Sequence, residues 1–131
     1  MGGSSASMDP KTKEKWADYI KERTVLAANG QCLLWDRGTS KSGRYGVCKV
    51  KLPGDREAKF LYTHRLAYIV GHGLTRKDID GVSLSHLCSK SLCTRLEHLL
   101  IEEQAINNSR QHCRAEGRCF GHAESPCCMF F

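Results

Sequence analysis

His86-Leu87-Cys88-Ser89-Lys90-Ser91-Leu92-Cys93-Thr94-Arg95-Leu96-Glu97-His98, with Asn107 nine residues further on, decides how this chain is read. Cys88, Cys93 and His98 have the donor types and the spacing of a tetrahedral zinc site. A closed site needs a fourth donor, and Cys32 and Cys48 are the candidates. Cys48 sits within an alternating apolar–polar run, where a cysteine packs as a small hydrophobe. Cys32 opens an apolar strand and is expected to complete the site, pinning that strand to the knuckle. His86 and Asn107 flank the zinc pattern and carry side chains suited to a general base and to a hard-metal ligand.

The remaining cysteines extend this reading. Cys113-x5-Cys119-x2-His122-x4-Cys127 is a second four-donor set, in which Cys128 could replace Cys127 and His112 is a weaker competitor for His122. The segment has too few apolar residues to order itself by packing, so metal binding is the economical source of its order. Eight cysteines could also be four disulfides. However, MGGSSASM holds no apolar run that would mark a secretory signal, and histidines at ligand spacing serve no purpose in a disulfide framework. Two structural zinc ions and a reducing compartment, nucleus or cytoplasm, are therefore expected, with no membrane partner. The net charge of +6 and a pI near 9.0 fit a polyanionic partner, nucleic acid first.

The chain of 131 residues is one domain, or one domain with arms. Residues 1–8 read as a leader. Asp9-Pro10 reads as a helix cap and first turn, and the pattern through Trp16, Ile20 and Ala27 to Asn29-Gly30 predicts an N-terminal helix over 9–30. The zinc-stabilised domain is expected over 31–131. Within it CLLW is a short strand, YGVCKVKL alternates, PGD turns, and KFLYTH returns antiparallel. HRLAYIVGHG predicts a helix closed by glycine. VSLSH and HLLI are strands on either side of the knuckle, and EEQAINNSRQH is a helix with Asn107 near its middle. The class is mixed α+β.

Strand, knuckle, strand and helix would set His86 opposite Asn107, with room for a hydrated metal and a phosphate. A neutral histidine can take the proton of a water, an effect of about 10²–10⁴ in rate. An amide oxygen can hold Mg²⁺ while leaving it most of its charge and several waters. Arg44, Lys49, Lys51, Arg56 and Lys59 form a basic stripe on the hairpin, in which Lys49 and Lys51 share a face, as in a β-ribbon laid in a major groove.

On these residues the chain resembles the His-Cys box homing endonucleases, members of the ββα-metal (His-Me finger, HNH-like) nucleases. The resemblance runs from about Cys32 to Cys127 and includes Tyr45-Gly46-Val47 of the hairpin. It implies a ββα-metal core with an antiparallel hairpin region, stapled by two structural zinc sites. It implies His86 as general base, Asn107 as ligand of one catalytic Mg²⁺ (or Mn²⁺), and Arg56 as a contact to the scissile phosphate. Cys32, Cys88, Cys93 and His98 would form the first zinc site, and Cys113, Cys119, His122 and Cys127 the second, whose spacing is shifted. The implied activity is Mg²⁺-dependent hydrolysis of double-stranded DNA. A DNA-binding module of the same fold without cleavage is the alternative, and a zinc-dependent protein-interaction module a third. The family's long dimerisation arm has no counterpart after the second site, so a monomer or weak homodimer is expected.

Overall fold

A computed structural model of the chain describes residues 8–122 and 124–130. The expected leader over 1–8 lies outside the described residues apart from Met8, which packs against the core. Helix α1 spans Pro10–Lys21. Asp9 caps it, accepting from the Thr12 amide at 2.7 Å, and the proline occupies a first-turn position where no amide hydrogen is needed. Trp16 and Ile20, one helical turn apart, are the buried residues of α1.

The helix expected over 9–30 is therefore too long. Thr24–Leu26 is strand β1, paired antiparallel with β2 at Leu33–Trp35. The β-branched pair Thr24-Val25 suits a strand better than a helix, and the cross-strand partner settles the competition. Asn29 closes the turn between β1 and β2 by accepting from the Gln31 and Cys32 amides, which fixes where Cys32 begins.

The expected hairpin forms, with β3 at Val47–Val50 and β4 at Lys59–Tyr62. Its register pairs Val47 with Tyr62, Cys48 with Leu61, Lys49 with Phe60 and Val50 with Lys59. Cys48, Val50 and Leu52 are buried while Lys49 and Lys51 are exposed, so the alternation read from the sequence holds. Gly46 precedes β3 where a Cβ would meet Thr63 Oγ1 and come within 2.7 Å of the Trp35 ring. No larger residue fits that approach without moving the indole.

Helix α2 (Thr63–His72) follows β4 directly and buries Leu66, Ala67, Ile69 and Val70. These residues meet Trp16, Ile20, Trp35, Val50, Leu52, Leu84 and Leu99 in one core. Strands β5 (Leu84–His86) and β6 (Leu99–Ile101) pair antiparallel, with His86 opposite Leu99. Helix α3 spans Gln104–Glu116, so Asn107 lies in its first turn and not near its middle. β5, β6 and α3 make the ββα unit, and with α1, α2 and the two other hairpins the class is α+β. Among the described residues no helix is long and apolar enough to cross a membrane.

Candidate active site and zinc centres

Cys32, Cys88, Cys93 and His98 are all buried, and their donor atoms lie within 4.8 Å of one another. A zinc–sulfur bond of about 2.3 Å puts donors around a tetrahedral ion roughly 3.8 Å apart, so the set fits the metal. The four donors come from four places in the chain. Cys32 precedes β2. Cys88 lies in the turn where β5 ends, just before Ser89 with its left-handed φ of 64°. Cys93 bridges to Leu34, and His98 ends a 3-10 turn before β6. His98 presents Nδ1, 3.7 Å from the Cys32 sulfur and 3.5 Å from that of Cys93. Main-chain bonds hold β2 to the knuckle, Trp35 N to Leu92 O and Thr94 N to Leu33 O, each 2.8 Å. Cys48 takes no part, its thiol donating to the Leu61 carbonyl at 3.4 Å beneath the hairpin.

The second cluster is Cys113, Cys119, His122 and Cys128, again with all donor atoms within 4.8 Å. Cys127, expected as the fourth donor, is exposed and outside the set. The reason is a long-range contact. Arg110 Nη1 donates to the Cys128 sulfur at 3.4 Å, and Nη2 donates to the Pro126 carbonyl at 2.9 Å. This turns Cys128 inward and leaves Cys127 on the outer side. Backbone amides of Cys128 and Gly121 donate to the Cys119 sulfur and, with the Cys128 thiol, draw its pKa down to about 6. Ser109 Oγ donates to the Ile106 carbonyl at 2.6 Å, so His122 Nδ1 donates to Ser109 Oγ at 2.8 Å, which aims Nε2 at Cys113 and Cys128. His112, the competing ligand, packs against Phe120 instead.

Both donor sets found among the described residues consist of cysteine and histidine, so we expect close to two zinc ions per chain. Removing them with a strong chelator should unfold the protein, since the tail from Cys113 has little apolar surface to bury. Metal analysis after purification without added zinc, together with a thermal melt, checks this. Less than one equivalent with an unchanged melt would refute it.

A cavity of about 530 Å³ opens between the hairpin end, β5 and α3. His86 and Asn107 both line it, as the sequence reading anticipated. Gln104, Asn107, Gln111 and Arg114, spaced by three, four and three residues, present one face of α3 to the cavity. The other face of the helix buries Arg110 and Cys113, so α3 separates the cavity from the second cluster.

His86 is buried, and its Nε2 has no hydrogen-bond partner among the described residues. Burial pushes its pKa down to about 4. The Cys93 backbone beside the ring opposes that shift, and the Arg114 charge adds to it. Nε2 is sealed from solvent, so Nδ1 is the ring nitrogen that can face the cavity. Asn107 donates from Nδ2 to Ser83 Oγ at 2.7 Å. This leaves Oδ1 as the amide atom for a cation, and one neutral oxygen is a donor that hydrated Mg²⁺ or Mn²⁺ accepts.

Several lining residues escaped the sequence reading. His64, at the start of α2, packs its ring 4.4 Å from that of His86, and burial, then the charges of His86 and Arg65, hold its pKa far below the ordinary value. Arg65 and Arg114 line the cavity beside Arg44. The arginine expected at the scissile phosphate, Arg56, does not. It is exposed in the β3–β4 turn, at the opposite end of the hairpin from Tyr45 and Tyr62, which line the cavity. A four-residue strand puts that turn roughly 13 Å away. Counting along a hairpin cannot tell its two ends apart, whereas the His64-Arg65 pair directly after β4 was the available signal. Lys59 pairs with Val50, off the face that carries Lys49, and lines a separate hollow with Asp55 and Arg76. The basic stripe is thus divided, with Arg44 at the cavity, Lys49 and Lys51 on the outer face, and Arg56 and Lys59 at the turn.

Comparison with curated proteins and with solved structures finds no match. The family model for the zinc-binding loop region of homing endonuclease matches residues 31–129, which takes in both clusters, the hairpin, His86 and Asn107. With three quarters of the chain matched and both donor sets assembled, this protein belongs to the homing-endonuclease zinc-binding family.

Proposed function

We propose that this chain is a Mg²⁺-dependent DNA endonuclease that hydrolyses a phosphodiester bond with a histidine-activated water. The observation that carries the reading is that His86 and Asn107 line one cavity. His86 is neutral at pH 7 because its pKa is depressed, so the ring nitrogen facing the cavity, Nδ1, would offer a lone pair to a water proton. Arg44, Arg65 and Arg114 bring positive charge to the cavity that would receive the phosphate. Asn107 Oδ1 would hold the divalent cation, which when bound supplies Lewis-acid stabilisation of the phosphate and leaving oxygen. Lys49 and Lys51, exposed on one face of β3 and its continuation, support contact with the backbone of double-stranded DNA.

Supercoiled plasmid incubated with Mg²⁺ or with EDTA tests this directly. Wild-type protein should cut or nick only with the metal. Asn107→Ala should lose cleavage and keep DNA binding in EDTA. Asn107→Asp keeps an oxygen ligand but adds negative charge beside the phosphate, and should fall between Ala and wild type. Asn108, exposed and bonded to Gln104 at 2.9 Å, is the control, and Asn108→Ala should cleave normally. Tight DNA binding without cleavage in Mg²⁺ or Mn²⁺ would instead make the chain a binding module.

A further inference from the structure

The outer face of the β3–β4 hairpin carries a second hollow, of about 320 Å³, framed by Val47, Phe60, Leu61, Tyr62 and Arg65. Tyr62 and Arg65 also line the cavity of His86 and Asn107, so the two hollows adjoin. Val47 faces Tyr62 and Lys49 faces Phe60 across the hairpin, which places all four on one side. Phe60 is 71% exposed and Tyr62 43% exposed, so the fold gains little from either ring. The Lys49 ammonium lies 5.4 Å from the centre of the Phe60 ring, and the Arg44 guanidinium 5.3 Å from that of Tyr45. From there a row of rings runs inward. Tyr45 and Tyr62 are 5.0 Å apart, Tyr62 stacks on His64 at 5.9 Å and 16°, and His64 meets His86.

We infer that this hollow is a base-stacking subsite, taking an unpaired base of the strand whose phosphate enters the His86 cavity. The inference rests on the endonuclease reading and narrows its substrate to DNA that is opened, bulged or mismatched beside the cut. Flat rings interleaved with cations are the recurring recipe for unpaired nucleic acid, because every base has a π-face to stack and a phosphate to pair. A closed duplex hides those faces and offers base edges in its grooves, to which a protruding phenylalanine adds little beyond contact with a thymine methyl. A protein partner fits less well, since lysine is depleted from the cores of protein interfaces, and here Lys49 lies against the exposed Phe60 ring.

Binding in EDTA separates this proposal from the cleavage chemistry. Fluorescently labelled oligonucleotides would be compared as a perfect duplex, the same duplex with one unpaired base, and a single strand. Wild-type protein should prefer the two with unpaired bases. Phe60→Ala should weaken those by about tenfold and the perfect duplex less than twofold, with two zinc ions retained as the check on folding. Phe60→Leu keeps the apolar bulk and loses the stacking face, so it should behave like Ala. An equal loss on all three ligands, full retention in the Leu variant, or no wild-type preference would overturn the subsite. In those cases metal-dependent cleavage of plasmid would still stand. A wild-type protein that binds no DNA at all would overturn both readings.

Discussion

His86→Ala should slow Mg²⁺-dependent cleavage by about 10²–10⁴, the range for removing a general base, while zinc content and DNA affinity in EDTA stay near wild type. The separation follows from where the residue sits. His86 ends β5 two residues before Cys88, yet it belongs to neither donor cluster. The Cys93 backbone beside its ring ties it to the first zinc site without making it a ligand. Burial holds the imidazole neutral at pH values well above 4, so its removal takes away no charge that DNA would feel at neutral pH. Losing the ring enlarges a cavity that is already open, which spares most of the core. Atomic absorption and a binding titration, run beside the cleavage assay, check all three expectations. A variant that loses a zinc equivalent would mean that His86 is a metal ligand.

Much of this was legible in the sequence because the informative contacts are short-range. The alternation of Cys48, Lys49, Val50 and Lys51 fixes which side of β3 is buried, and no distant element overrides it. The knuckle is read from spacing alone, since Cys88, Cys93 and His98 fall within one turn-rich segment. Choosing Cys32 over Cys48 needed only the observation that a residue within an alternating strand faces either core or solvent. The readings that failed depended on contacts across the chain. α1 ends at Lys21 because Thr24–Leu26 finds β2 as a partner, a pairing that the β-branched Thr24-Val25 only hints at locally. Cys127 and Cys128 are neighbours of equal chemistry, and Arg110 on α3 decides between them. His64 enters the site because the end of the hairpin packs beside β5. Arg56 was placed by counting, and a hairpin turn carries counted residues away from the site as easily as toward it.

Arg110→Met should destabilise the protein by about 3–5 kcal/mol, the usual cost of breaking a buried ion pair from one side, and should release the second zinc first. Arg110 and Glu102 are nearly inaccessible, with 2% and 1% of their side chains exposed. The guanidinium binds the carboxylate through two nitrogens, Nε at 2.6 Å and Nη2 at 2.5 Å. Burial pushes the Glu102 carboxyl up, but the bonds from Arg110 hold it net below its ordinary value. Its contribution to stability is therefore present above the ordinary glutamate range and is lost as pH falls through the lowered value. The same guanidinium reaches the Cys128 sulfur and the Pro126 carbonyl, so it joins β6 to the metal-bound tail. A double variant, Glu102→Leu with Arg110→Met, tells the two roles apart. Replacing both charges with apolar groups of similar size should recover most of the folding stability measured by urea with zinc present, and should flatten its acid dependence. It should not recover zinc retention against a chelator, because Cys128 would still lack its donor. If the double variant holds the second zinc as firmly as wild type, Arg110 serves the fold through Glu102 alone, and the choice of Cys128 over Cys127 needs another cause.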